Sequence, residues 1–239
     1  MLSISADSIP YGVVIVAYID ISRAFDSVSH DKLFLRLYEY GIRGQLLGWL
    51  KNFFSHRTHQ TRVGVALSSV ACLLSGVVQG SGIGPVMFIV FIDQLAKLLE
   101  KHHITAKLFA DDLKVYLKIE NVDDAARLQF ALDLITEWSN TWQLSVSVAK
   151  CSLLNVGYAS VTVDYYLAGS MLPTAEYCRD LGVTMTCNLS MSQHIAEITA
   201  KAHQRANIIV YYVHLHLVMK ICYFAHLLCM CVPLLNAIV

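Results

Sequence analysis

The chain has 239 residues, 56% hydrophobic and only 15% charged, with a formal net charge of zero at pH 7 and a mean hydropathy of +0.51. Such a length holds one large domain, or one domain and part of another. The zero balance excludes a partner held by bulk charge alone, although the charges are unevenly spread. Between Ile21 and Arg62 seven Lys/Arg face three Asp/Glu, with His30, His56 and His59 among them. A basic face can therefore exist on a neutral protein.

Tyr11–Ile19 is an almost unbroken β-branched run between Pro10 and Asp20, the pattern of a central strand covered on both faces. Asp20 stands at its C-terminal end. Ser29 is placed to cap a helix His30–Tyr40 stopped by Gly41, and a second helix spans Gln45–Phe54. His56–Arg62 is a basic loop or edge strand, and Leu67–Val77 has strand composition. Gln79-Gly80-Ser81-Gly82-Ile83-Gly84-Pro85 is a glycine-rich turn that opens a helix over Val86–Lys101, with Pro85 suited to its first turn.

Next comes Leu108-Phe109-Ala110-Asp111-Asp112-Leu113, two acids between two short apolar runs. The spacing predicts a hairpin with strands Thr105–Phe109 and Leu113–Lys118 around a turn carrying Asp111 and Asp112. A helix from Asp123 to Trp142 follows with apolar residues at helical spacing. Short strands are expected at Ser152–Val156, Val161–Leu167 and Leu181–Met185, then a helix from Ser190 or Ser192 to about Tyr212. Ile208–Val239 holds one charged residue, Lys220. It is long enough to pose the alternative of a membrane anchor, but Pro233, Asn236 and His226 favour a buried helical segment.

Seven cysteines with no CxxC pair read as free or buried thiols in a reducing compartment. Met1–Pro10 lacks a basic region followed by an apolar block, so no signal peptide is expected. The expected location is inside the cell, cytoplasmic or nuclear.

Asp20 after a buried strand, with Asp111 and Asp112 in a turn, makes three carboxylates at strand tips. Each has an ordinary explanation as a cap or turn residue. If the strands are neighbours the acids converge, and gathered carboxylates need a cation. Hard oxygen donors select Mg²⁺ or Mn²⁺, and two such ions serve phosphoryl transfer.

The ordered series of motifs resembles the reverse transcriptase domain of non-LTR (LINE-like) retrotransposons. Tyr18-Ile19-Asp20-Ile21-Ser22-Arg23-Ala24-Phe25-Asp26 is similar to that family's motif A. Ser75-Gly76-Val77-Val78-Gln79-Gly80 through Pro85 is similar to motif B, and Phe109-Ala110-Asp111-Asp112 to motif C. Trp142-Gln143-Leu144 through Lys150-Cys151 resembles motif D, Asp180-Leu181-Gly182-Val183 the motif E region, and the helix from His194 the start of the thumb.

The resemblance implies an α+β fold: a polymerase palm-like antiparallel sheet backed by helices over residues 1–187, then a helical partial thumb over 188–239. It implies an RNA-directed DNA polymerase that uses two Mg²⁺ or Mn²⁺ ions, an RNA template, a DNA primer and dNTP. By the same resemblance Asp20 and Asp111 are metal ligands, with Asp112 beside them. Phe25 is the gate beneath the sugar, a core aromatic being the alternative. Gln79 and Gly80 lie against nucleotide and template, and Lys150 approaches the triphosphate, a solvated surface lysine being the alternative. Arg57 and Arg62 are candidates for template phosphates.

The sequence also departs from the family pattern. Nineteen residues precede Asp20, so the fingers region is expected to be missing. Val78 stands where proline is usual, and Ser145–Ala149 lacks the Asn-Pro expected before Lys150. An inactive relic that keeps the palm fold is therefore the second reading.

Overall fold

A computed structural model describes residues 13–157 and 163–235. The chain begins with β1 (Val13–Asp20), α1 (His30–Glu39) and α2 (Gly44–Phe54). Four two-residue strands follow: β2 (Thr58–His59), β3 (Arg62–Val63), β4 (Ala66–Leu67) and β5 (Ala71–Cys72). Then come α3 (Gly84–Lys101), β6 (Ala106–Phe109), β7 (Asp112–Ile119) and α4 (Val122–Trp142). The remaining elements are β8 (Ser152–Val156), β9 (Tyr166–Leu167), β10 (Ser170–Met171), β11 (Thr174–Ala175), β12 (Tyr177–Asp180), β13 (Val183–Thr186) and α5 (Ser192–Leu235).

β1 is the middle strand of a five-stranded sheet ordered β11-β8-β1-β7-β6. It runs antiparallel to β7 and β8, and β6 is antiparallel to β7; the pairing of β11 with β8 is parallel. Every residue from Val13 to Ala17 is buried, as the unbroken apolar run requires. Side chains alternate along a strand, and the odd-numbered set Val13, Ile15, Ala17 and Ile19 joins the main core with Leu113, Val115 and Ile119 of β7. Helices cover that face through Leu33 and Leu37 of α1, Phe88, Phe91 and Leu95 of α3, and Leu128, Leu132 and Ile135 of α4. Each of these large side chains contributes about 1.5–3 kcal/mol by leaving water. The fold is thus the antiparallel-dominated sheet backed by helices that the motifs imply.

Local signals explain the helix ends. Asn121 caps α4 by accepting from the Asp124 N–H at 2.9 Å, and Gln143 closes it in a left-handed conformation with φ 59°. Ser29 precedes α1 with extended backbone but makes no side-chain capping bond. Pro85 sits in the first turn of α3, where its missing N–H costs nothing.

Three expectations need correction. The apolar tail from Ile208 was expected as a buried helical segment, but its residues Ile208–Val213 are 49–66% exposed. Leu67–Val77 is not a continuous strand: β2 pairs with β5 and β3 with β4 as exposed two-residue ladders. Leu67, Val70 and Leu74 are 61%, 61% and 85% exposed, so no apolar face exists to fix a longer strand. The final helix does not stop near Tyr212 but runs to Leu235, because neither glycine nor proline interrupts it before Pro233. Among the described residues no helix is long and apolar enough to cross a membrane, which counts against the anchor reading. Tyr11 and Gly12 of the expected first strand, Val161 and Thr162 of a later one, and residues 236–239 of the apolar tail lie outside the described residues.

The chain forms two compact units. One comprises Met1–Cys178 and Thr186–Leu189, the other Arg179–Met185 and Ser190–Val239. Within the second, the Thr184 hydroxyl donates to Glu197 Oε2 at 2.8 Å and Gln193 Nε2 donates to Glu197 Oε1 at 3.1 Å. These bonds, Thr184 foremost, hold the Glu197 carboxyl below the ordinary glutamate range.

Candidate active site

The register of β1 and β7 sets Asp20 directly opposite Asp112. Opposed residues of an antiparallel pair lie about 4.5–5.5 Å apart at Cα and share a face. Their parity is that of Val14 and Val16, so both acids belong to the side of the sheet away from the helix-covered core. Phe109 and Asp112 close a two-residue turn, and Ala110 takes the positive φ of 54° that a tight hairpin asks of its first corner. Asp111 occupies the second corner, half-buried, while Asp112 opens β7 and is exposed.

The segment after α4 clamps the backbone of Asp20. Its carbonyl accepts from the Ser147 N–H at 2.8 Å, and its N–H donates to Cys151 Sγ at 3.3 Å. Ser22 N–H donates to the Ser145 carbonyl at 2.8 Å. The Cys151 thiol donates in turn to the Ser147 carbonyl at 3.3 Å, and burial pushes its pKa up. Lys150 Nζ stands 3.6 Å from Asp20 Oδ1. That oxygen is buried and makes no hydrogen bond, although the Asp20 side chain as a whole is 35% exposed; the exposure lies elsewhere on the carboxylate.

An orphaned carboxylate oxygen in an all-oxygen donor set fits a hard divalent cation. Among the described residues no three His, Cys, Asp or Glu side chains are gathered as a ready cage. Magnesium does not require one, since it is commonly held by one or two carboxylates together with substrate phosphates.

The glycine-rich segment is tied to the loop after β1. Val77 N–H donates to the Phe25 carbonyl at 2.7 Å and Gly76 N–H to the Val28 carbonyl at 2.8 Å. The Ser75 hydroxyl donates to the Asp26 carbonyl at 2.9 Å, and His30 Nε2 bonds the Gly76 carbonyl at 2.8 Å. Gly76 has φ 89°, and a Cβ there would stand 2.8 Å from the Asp26 carbonyl oxygen, so only glycine admits this approach. Above this seam Gln79 Nε2 donates to Asp26 Oδ1 at 2.6 Å.

Phe25 stacks on Phe88 with ring centroids 4.4 Å apart. It also lines a cleft of about 430 Å³ with Val78, Gln79, Gly80 and Pro85. Gate and core-supported aromatic are therefore compatible descriptions of one ring.

Arg57, Arg23, His30, His59, Asp26 and Gln79 line a second cleft of about 790 Å³. The Arg57 guanidinium lies over the Phe53 ring, 4.2 Å from its centroid. Arg62 is not part of this lining: it sits in exposed β3 and donates to the Gly64 carbonyl at 3.0 Å.

The structure thus brings Asp20, Asp111, Asp112 and Lys150 to one end of the sheet, and Phe25, Gln79 and Gly80 to one cleft. Asp26 and Cys151 were not singled out as site residues from sequence. Asp26 lies inside the Ala24-Phe25-Asp26 stretch, six residues after Asp20. Cys151 directly precedes a strand that pairs with β1, and only the fold shows that it meets Asp20.

The family described as reverse transcriptase (RNA-dependent DNA polymerase) matches residues 10–185, and the chain belongs to it. Members of this family copy RNA and generally depend on divalent metal ions. The RNA-directed DNA polymerase from mobile element jockey of Drosophila melanogaster is 29% identical over 191 residues, covering 76% of this chain and 20% of that protein. The probable RNA-directed DNA polymerase from transposon BS of the same fly is 28% identical, covering 79% of this chain and 22% of that protein. These relatives bear out the non-LTR resemblance, and the chain spans about a fifth of their length.

Among solved structures, apo telomerase from Candida tropicalis, truncated from its C-terminal domain, superposes with a TM-score of 0.53 at 11% identity. It covers 75% of this chain and 35% of that one. The telomerase of the same yeast in complex with the TWJ fragment of telomeric RNA gives 0.51 at 11% identity, covering 75% and 29%. At that identity the likeness concerns the fold.

Proposed function

We propose that the chain carries the palm of an RNA-directed DNA polymerase and extends a DNA primer on an RNA template from dNTPs. The observation that carries this is the alignment of Asp20 with the Asp111-Asp112 hairpin, with a buried, unbonded Asp20 Oδ1 between β1 and Lys150. In the reaction a primer 3′-hydroxyl oxygen bonds to the α-phosphorus of the dNTP while the bond to pyrophosphate breaks. Asp20 and Asp111 would hold two Mg²⁺ or Mn²⁺ ions, with Asp112 beside them. When bound, such ions activate the attacking oxygen and stabilise charge on the leaving one.

The remaining work falls to the chain's own groups. Phe25, braced by Phe88, presents its ring to the sugar and crowds a 2′-hydroxyl. Gln79 and Gly80 face the base pair being formed. Lys150, whose Nζ stands 3.6 Å from Asp20 Oδ1, would offer its ammonium to triphosphate charge. Arg57 offers its guanidinium to template phosphates, and Arg62 does so from the exposed ladder. Residues 188–239 are assigned to a thumb-like helical segment, and the setting is the cytoplasm or nucleus.

Primer extension on a primed RNA template with Mg²⁺ or Mn²⁺ tests the proposal. Asp111→Asn is expected to lower incorporation by at least about a thousandfold, because the metal supplies several kcal/mol of barrier lowering. Equal incorporation by the wild type and Asp111→Asn would end it. The alternative is a palm that keeps its fold without turnover. Chelator-sensitive incorporation by the wild-type chain excludes that alternative.

A further inference from the structure

We infer that Asp26 is a positioning residue for nucleotide binding: its carboxylate fixes the Gln79 amide at the mouth of the nucleotide cleft. The inference deepens the proposed function and rests on that reading of Gln79.

Gln79 is exposed and has several free torsions, so an unrestrained amide would sample many orientations and lose entropy on gripping a ligand. Here its Nε2 donates to Asp26 Oδ1 at 2.6 Å, a bond to a charged acceptor and so stronger than a neutral one. The acceptor is itself immobilised. Asp26 N–H donates to the Arg23 carbonyl at 2.9 Å and its own carbonyl accepts from the Ser75 hydroxyl at 2.9 Å. Gly76 approaches Asp26 so closely that no side chain fits between them. Phe25, the residue before Asp26, is bonded through its carbonyl to Val77, two residues before Gln79. The sugar-facing ring and the amide are thereby built on one seam. With Nε2 held by Asp26, the Gln79 carbonyl oxygen is the group left to accept from a ligand. That oxygen suits a hydroxyl or amino donor of a nucleotide.

Binding of a fluorescent N-methylanthraniloyl dATP to the full chain, with Ca²⁺ in place of Mg²⁺, tests this without turnover. Asp26→Ala is expected to weaken binding about tenfold. Asp26→Asn stays within about twofold of wild type, because its carboxamide oxygen accepts the same N–H. In a Gln79→Ala background, Asp26→Ala adds no further loss.

An equal penalty from Asp26→Ala with and without Gln79 would show a general effect on the loop and overturn the inference. So would unchanged binding by Asp26→Ala, or no binding of the nucleotide by the wild-type chain. Should Asp26→Ala fail to fold, Asp26→Leu, which keeps a branched side chain but offers no acceptor to Gln79, reads the same coupling when measured with and without Gln79→Ala. Failure of primer extension with nucleotide binding intact would refute polymerase activity while leaving the Asp26–Gln79 coupling standing, so the two failures are distinguishable.

Discussion

β1 and residues 208–222 of α5 are both apolar runs almost free of charge, and they end in opposite surroundings. Val13–Ala17 are at most 8% exposed, whereas Ile208–Val213 are 49–66% exposed. A strand cannot satisfy its own backbone, so β1 exists only with β7 and β8 beside it, and that pairing brings covering helices onto its side chains. A helix satisfies its backbone hydrogen bonds internally, so its formation does not require a neighbouring strand. Hydrophobic composition therefore reports burial in β1 and does not report it in α5.

Four substitutions would break or sharpen this contrast. The largest effect is expected from Phe88→Ala, since Phe88 is fully buried and stacks on Phe25. Denaturant titration should show a loss of about 3–5 kcal/mol; a loss below about 1 kcal/mol would show that the helix-covered face is not the stabilising core. Gly76→Ala should follow at about 1–3 kcal/mol, from a strained φ and a clash with the Asp26 carbonyl, read as a lower midpoint in the same titration.

Asp93→Asn probes the seam between α1 and α3. Burial raises the Asp93 pKa, but hydrogen bonds from Lys97 and Tyr40, with the charges of Lys97 and Arg36, more than offset this and hold it below the ordinary value of 3.8. A carboxylate depressed in the fold stabilises above its unfolded pKa and loses that contribution as pH falls through its folded one. The wild type should therefore exceed Asp93→Asn in stability at pH 6 and converge with it below about pH 3; a gap independent of pH would contradict the ion pair. The smallest change belongs to Ile209→Ser in α5, within about 0.5 kcal/mol by thermal melting of the full chain. A drop of 2 kcal/mol or more would mean that this run is buried in solution.

Most of the architecture was legible because periodicity and breakers speak locally. The unbroken Val-Ile run marked β1, helical spacing marked α4, and Pro85 marked the start of α3. The acid hairpin was legible down to its turn, with Asp112 moving from the turn to the first position of β7. Leu67–Val77 misled because β-composition without a face to cover does not specify a ladder. Arg57 and Arg62, five residues apart, separated because one falls beside the cleft and the other on an exposed two-residue strand.

By itself the sequence determined which residues could bear chemistry, and the ordered motifs containing Asp20, Gln79 and Asp111-Asp112 carried the resemblance to reverse transcriptases. Those properties reside in residue type and spacing. Tertiary structure alone decided that Asp20 faces Asp112, that Cys151 and Ser147 clamp its backbone, and that Asp26 meets Gln79. These contacts join residues 53 to 131 positions apart, and only the pairing of β1 with β7 and β8 and the folding of the glycine-rich segment onto the loop after β1 bring them together.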